Sequence, residues 1–190
     1  MMQHYTLRIA TLDDALDIWS VMDICAKHLE HKEQFILDDL AYVKDILCGH
    51  GFAVVACDKT DKIVGNLLVK YPGITDENLG YDVFTDENLG YDVFTDCLHI
   101  PLTTENLSKV VHMDSASVHP NHRGHNLERL LIAYAETLID ISKHKYSFAT
   151  VAPNNYASLK SLERNGYQVM VTKEKYHGLM RSIMMKLLKA

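Results

Sequence analysis

The 190-residue sequence has no apolar run long enough to span a bilayer, and its first residues lack the charged-then-apolar pattern of a secretory leader. Its four cysteines, Cys25, Cys48, Cys57 and Cys97, show no CxxC spacing, so no disulfide or metal framework is suggested. These absences predict a soluble cytoplasmic protein with no membrane partner, whose thiols are free and fill a core. Basic residues are also in deficit: 19 Lys and Arg against 25 Asp and Glu leave a formal charge of −6. Phosphate neutralisation needs clustered cations, so nucleic acid is excluded as the expected partner. An acidic surface suits a cationic substrate such as an amine, although solubility alone explains it equally well. With 47% hydrophobic positions the chain can bury one sizeable core, and residues 1–190 read as a single domain, monomeric or homodimeric.

Residues 5–9 read as a strand, and Thr11 with Asp14 forms a capping pair ahead of Leu16, Trp19, Met22 and Ala26 at helical spacing. A second helix is expected over 35–47, stopped by the Gly-His-Gly at 49–51. Two antiparallel strands follow, 52–57 and 63–71, joined by a polar turn, with Gly65 as a bulge or close-approach position. In the segment 72–107, the ten residues 75–84 recur unchanged as 85–94. Two copies cannot stack a solenoid, so this reads as a tandem duplication within a long loop. The remaining pattern gives strands at 110–118 and 146–151, helices at 127–141 and 155–165, and closing strands at 168–172 and 182–188. Leu127, Leu130, Leu131, Tyr134, Leu138 and Ile141 share one stripe expected to face the sheet. The order β-α-α-β-β-β-α-β-α-β-β predicts an α/β protein with a mixed sheet.

The most informative stretch runs from Val118 to Leu131, where a strand ends at Pro120 and a polar, Gly-containing turn opens into an amphipathic helix. Such a turn exposes backbone N–H groups at the positive end of a helix dipole, which together suit an anion such as a pyrophosphate. Strand-turn-helix junctions are common, so on physics alone this is a phosphate-compatible site and no more.

Val118-His-Pro followed by Asn121-His-Arg-Gly-His-Asn-Leu-Glu resembles the pyrophosphate motif of the GNAT superfamily of acetyl-CoA-dependent N-acetyltransferases. Arg123 takes the motif's opening position, while Asn126 and Glu128 stand where small residues are usual. Asn tolerates positive φ, so Asn126 can preserve the turn, whereas the carboxylate of Glu128 has to point away from a phosphate. A second stretch, Ala152 to Tyr167, is similar to the superfamily's strand end, Asn, helix and Gly-aromatic pattern. The resemblance implies the GNAT (acyl-CoA N-acyltransferase) fold, a mixed, mostly antiparallel sheet with helices on both faces. It also implies acetyl-CoA as co-substrate, held by Val118, Arg123, Gly124, His125, Asn126, Leu127 and Glu128 and by Asn155 and Ser158. The pantetheine is then expected to enter between strands 110–118 and 146–151, with the Val118 N–H polarising the thioester carbonyl.

Acetyl transfer to an amine in a ternary complex needs a neutral amine and a proton route for the leaving thiolate. Asp114 lies four residues before Val118 and so shares its face of the strand; it is the candidate base, with His112 on the same face as the alternative. The position at which many family members carry a Tyr acid is Leu162, which leaves Tyr156, Ser161 or unassisted thiolate departure. No metal is expected, because His119, His122 and His125 on a turn do not converge on one point. The acceptor is expected to be a primary amine of a small molecule; the competing class is a non-catalytic acyl-CoA sensor or interaction module on the same fold.

Overall fold

A computed structural model describes residues 4–72, 93–101, 103–175 and 178–189. The duplicated segment lies outside these residues except for Val93 and Phe94. The described strands form a seven-stranded sheet of order β1-β2-β3-β4-β5-β7-β6. In chain order they are β1 (Thr6–Ile9), β2 (Gly51–Cys57), β3 (Ile63–Lys70), β4 (Val110–Val118), β5 (Tyr146–Val151), β6 (Gln168–Lys175) and β7 (Leu179–Leu187). The helices are α1 (Ala15–Lys27), α2 (Leu40–Asp45), α3 (Val93–Asp96), α4 (Thr104–Leu107), α5 (Leu127–Leu138) and α6 (Tyr156–Arg164). The β4/β5 pair is parallel, in register from Val110 opposite Tyr146 to His112 opposite Phe148, while β1/β2, β2/β3, β5/β7 and β6/β7 are antiparallel. The chain divides into two compact units, Met1–Lys70 with Met113–Ile139, and Tyr71–His112 with Asp140–Ala190.

In the first unit β2 and β3 are covered on both faces. Ala53, Val55, Cys57 and Leu68 pack with Ile18, Met22 and Cys25 of α1 and Val43 of α2. The opposite face meets α5, since a Cβ placed on Gly65 would lie 3.5 Å from the Leu131 side chain and 3.7 Å from that of Ala56. That Cβ would also be 3.2 Å from the Ser117 carbonyl oxygen, so Gly65 is the close-approach position the sequence suggested, beside a register shift at Ala56 and Cys57. This approach decides which side of α5 is buried. Leu127, Leu131, Ile132 and Ala135 face the sheet, whereas Leu130 and Leu138, expected on the buried stripe, are exposed. The helix lies down on its small Ala135 and on Leu131, which turns Leu130 outward, and it ends at Leu138 before Ile141.

The second expected helix is also corrected. Residues 35–39 are not helical; Asp39 is extended and its side chain accepts the Tyr42 N–H at 2.8 Å, so α2 begins only at Leu40. An N-cap carboxylate stabilises a start by about 1 kcal/mol, enough to fix which residue opens so short a helix. Gly49, at φ 128°, ends the helical run as expected. The cysteines are all free, but only Cys25 and Cys57 are buried, so Cys48 and Cys97 do not fill a core.

The Thr11 and Asp14 pair is present and extended by a third member. Asp14 accepts the Thr11 N–H at 2.8 Å and both terminal nitrogens of Arg8 at 2.7 Å. The Arg8 bond, followed by the Thr11 N–H, holds the Asp14 carboxyl at about 2 against an ordinary 3.8. A depressed carboxyl stabilises the fold above its unfolded value and stops doing so as pH falls through its folded one. With Arg8 partly solvated the effect is discounted, and Asp14→Ala is expected to cost about 1–2 kcal/mol at pH 7. Urea melts should show that loss shrinking between pH 4 and pH 2.

In the second unit Val93, Phe94, Leu107, Val110, Phe148 and Ile183 form the core. The turn after α6 is closed by Gly166 at φ 89°, with the Gly166 N–H donating to Glu163 O and the Tyr167 N–H to Leu162 O. Tyr167 is thereby delivered inward, its hydroxyl 2.6 Å from Ser147 Oγ.

Candidate functional site

The end of β4 passes into a turn whose shape is set by hydrogen bonds of its own. The His119 N–H donates to Val64 O at 2.8 Å, the Asn121 N–H to the His119 ring at 3.2 Å, and the His122 N–H back to His119 O at 2.8 Å. From the N-terminal segment, the Tyr5 hydroxyl meets His122 Nδ1 at 3.2 Å, and its ring lies 5.7 Å from that of His125. Gly124 then takes φ 82° and Asn126 φ 58°, two left-handed residues flanking His125. Successive reversals of this kind make the backbone concave and turn N–H groups toward one point. Arg123, Gly124, His125 and Asn126 are exposed, and Leu127 is buried as the first residue of α5. Glu128, in the first turn and half-buried, occupies a position where the helix dipole favours an acid. The dipole thus accounts for a residue that departs from the motif. The arrangement fits a pyrophosphate: a concave backbone, the open end of a twelve-residue helix and an exposed guanidinium are all present.

Upstream on β4, burial alternates. Asp114, Ala116 and Val118 are partly exposed, while Met113, Ser115 and Ser117 are buried. Val118 O accepts a bond from Cys25 Sγ at 3.1 Å, tying the strand's end to α1. His112 is only 1% exposed, so a diffusible acceptor does not reach it in this conformation.

Asp114 has company that the sequence reading missed. The Tyr42 hydroxyl donates to Asp114 Oδ2 at 2.9 Å, and the Ser115 hydroxyl donates to Asp38 Oδ2 at 3.3 Å. The Lys70 ammonium lies 5.5 Å from the Tyr42 ring centre. Asp38 is itself fixed by its backbone, whose carbonyl accepts the Trp19 indole N–H at 3.1 Å. Burial, followed by the neighbouring Asp114 charge, pushes the Asp38 carboxyl up to about 6, while Ser115 and Lys70 oppose the rise. The misread second helix concealed Asp38, because a residue inside a helix and one on the extended approach to it point in different directions. No local pattern marked it.

On the second unit Asn155 caps α6, its side chain accepting the Ser158 N–H at 3.3 Å. Leu162 is a core residue, 3% exposed. Of the hydroxyls named from sequence, Ser161 donates to Ala157 O one turn back at 2.9 Å, and Tyr156 is 69% exposed. Among the described residues no group of three His, Cys, Asp or Glu side chains gathers to hold a metal ion, and no helix is long and apolar enough to cross a membrane.

No family model matches the sequence, and no curated protein matches it. The fold does match solved structures over nearly the whole chain. It superposes on yncA of Salmonella typhimurium, described as an acetyltransferase and solved with acetyl-CoA, with TM-score 0.65 at 18% identity, covering 98% of this chain and 95% of that one. A GNAT-family acetyltransferase from Streptococcus pneumoniae gives TM-score 0.63 at 13% identity over 98% of this chain and 100% of that one. The NatC complex bound to Gag peptide and CoA gives 0.67 at 11% identity over 98% and 99%. The seven-stranded mixed sheet, with its parallel β4/β5 pair and the turn opening α5, is the GNAT acyltransferase fold.

Proposed function

We propose that this chain is, as one domain, an N-acetyltransferase that moves the acetyl group of acetyl-CoA to a primary amine of a small molecule in a ternary complex. The observation that carries this reading is the turn from Arg123 to Leu127, where Gly124 and Asn126 in left-handed conformation lead into α5. Its concavity and exposed guanidinium suit the pyrophosphate of acetyl-CoA. Val118, at the end of β4, is proposed to present its N–H to the thioester oxygen, and Asn155 and Ser158 to hold the pantetheine arm. The structural neighbours solved with acetyl-CoA or CoA support the same co-substrate.

Asp114 is proposed as the group that meets the amine, in preference to the alternative, the buried His112 two residues earlier on β4. The Tyr42 hydroxyl donates to Asp114 Oδ2 and so orients a side chain that suits the holding of an ammonium. With Leu162 buried at the usual Tyr position, the leaving thiolate departs unassisted, as its modest basicity permits, or takes a proton from Tyr156 or Ser161. The same observation is the one that favours a non-catalytic acyl-CoA sensor.

Calorimetric titration with acetyl-CoA, followed by release of free CoA thiol with a panel of amines, separates these readings. Micromolar binding and amine-dependent thiol release are expected. Binding without transfer to any amine or peptide N-terminus would leave the sensor, and no binding at all would sink both.

A further inference from the structure

Asn66 of β3 is fully buried, and neither its side-chain oxygen nor its nitrogen has a hydrogen-bond partner among the described residues. An orphaned buried amide costs about 1–3 kcal/mol, so a fold that retains one has a use for its donor and its acceptor. The residue lies opposite Val55, which packs toward α1 and α2, and so faces the same side of the sheet. Its neighbour on β4 is also fixed. The His119 N–H bonds to Val64 O, and Gly65 abuts Ser117 O, so β4 runs back past β3 with Asn66 beside Ser117. Two residues earlier on β4 is Ser115, whose hydroxyl donates to Asp38. Asn66 is thus directed at the side of β4 on which Asp38 lies.

We propose that Asp38 is the group that takes the proton from the acceptor ammonium, and that the Asn66 amide, fully buried in this conformation, is uncovered as the acceptor binds and hydrogen-bonds it. This rests on the acetyltransferase reading and divides the work between two carboxylates: Asp114, held by Tyr42, attracts the ammonium, and Asp38 deprotonates it. The step balances. One N–H bond of the ammonium breaks as the proton moves to an Asp38 carboxylate oxygen. The freed lone pair forms a C–N bond to the acetyl carbon, the C–S bond breaks with its electron pair on sulfur, and the second proton lost by nitrogen neutralises the thiolate.

Among the described residues, the groups that act on Asp38 leave it a base that works near neutrality. Asp114 from β4 and Asp39 beside α2 raise its basicity, Lys70 from β3 and the Ser115 hydroxyl moderate it, and burial contributes most. The carboxylate form dominates above pH about 6, so the rate should rise with pH through that value.

The test uses the whole chain, acetyl-CoA, and a panel of n-alkylamines, phenethylamine, spermidine and a peptide with a free N-terminus, with the best acceptor followed from pH 5 to 9. Wild-type kcat/KM is expected to show an acid limb near 6, and Asp38→Asn to lose the limb with kcat down about 100-fold, while acetyl-CoA affinity is unchanged. Asn66→Leu is expected to raise the amine KM about 10-fold without moving the limb, and to fold at least as stably because the orphaned amide is gone. Should Asp38→Asn not fold, Ser115→Ala serves in its place: removing the donor should move the wild-type limb upward. A limb retained in Asp38→Asn with kcat within about twofold, or a limb unmoved in Ser115→Ala, would overturn the proposal while leaving the acetyltransferase reading intact. An unchanged amine KM in Asn66→Leu would overturn the role of Asn66. If no amine is acetylated the enzyme reading falls first, and this assignment falls with it.

Discussion

Arg123→Glu is expected to weaken acetyl-CoA binding about 100-fold, an effect that follows from where the side chain sits. Arg123 is exposed at the exit of the short turn over 120–122, its own N–H donating to Pro120 O at 3.3 Å, a bond the substitution keeps. What the fold loses is the side chain's bond to the Cys25 thiol, a weak acceptor, while the backbone of the turn stays as it is. What changes is a charge swing of two beside a diphosphate. At about 6 Å and the water-like dielectric of an exposed site, about 80, each pair of unit charges is worth about 0.7 kcal/mol, and a swing of two against the two phosphate charges totals about 3 kcal/mol. Calorimetry at two salt concentrations checks the origin, because a surface electrostatic effect shrinks as the Debye length falls from about 10 Å at 0.1 M toward about 3 Å at 1 M. A loss that is small, or indifferent to salt, would place the pyrophosphate elsewhere.

The loop could be read from sequence because its information is local. Gly124 and Asn126 are residue types that adopt positive φ, and the structure puts both there. The Asn155 cap, the Gly166 stop and the limits of β4 and β5 follow from the same kind of signal, each decided within a few residues. What could not be read is decided by packing. The buried face of α5 depends on how closely it lies on Gly65, which is sixty-odd positions away in the chain. The start of α2 depends on Asp39 winning the Tyr42 N–H while Phe35 and Trp19 hold the preceding residues extended. Asp38 belongs to this second kind. Its importance comes from Ser115 and Asp114, both more than seventy residues further on, and nothing in its own neighbourhood of sequence announces it.

Asn126→Val carries the other large effect, and it separates backbone shape from side-chain chemistry. Asn126 is the residue before α5, at φ 58° and ψ 24°, with no side-chain capping bond, and its carbonyl accepts the Leu130 N–H at 3.0 Å. Its contribution is therefore its conformation. A β-branched residue resists the left-handed region by about 1–2 kcal/mol or more, whereas Gly enters it without strain. In Asn126→Val the chain can relieve that strain by rotating the turn, which moves the N–H groups away from the anion. A loss of about 10-fold to 100-fold in acetyl-CoA affinity is expected, with the thermal midpoint lowered by a few degrees. Asn126→Gly should bind within about twofold of wild type, since only the side chain is lost. Equal losses in both variants would mean that the Asn126 amide itself touches the co-substrate, and the turn would then be a side-chain site rather than a backbone one.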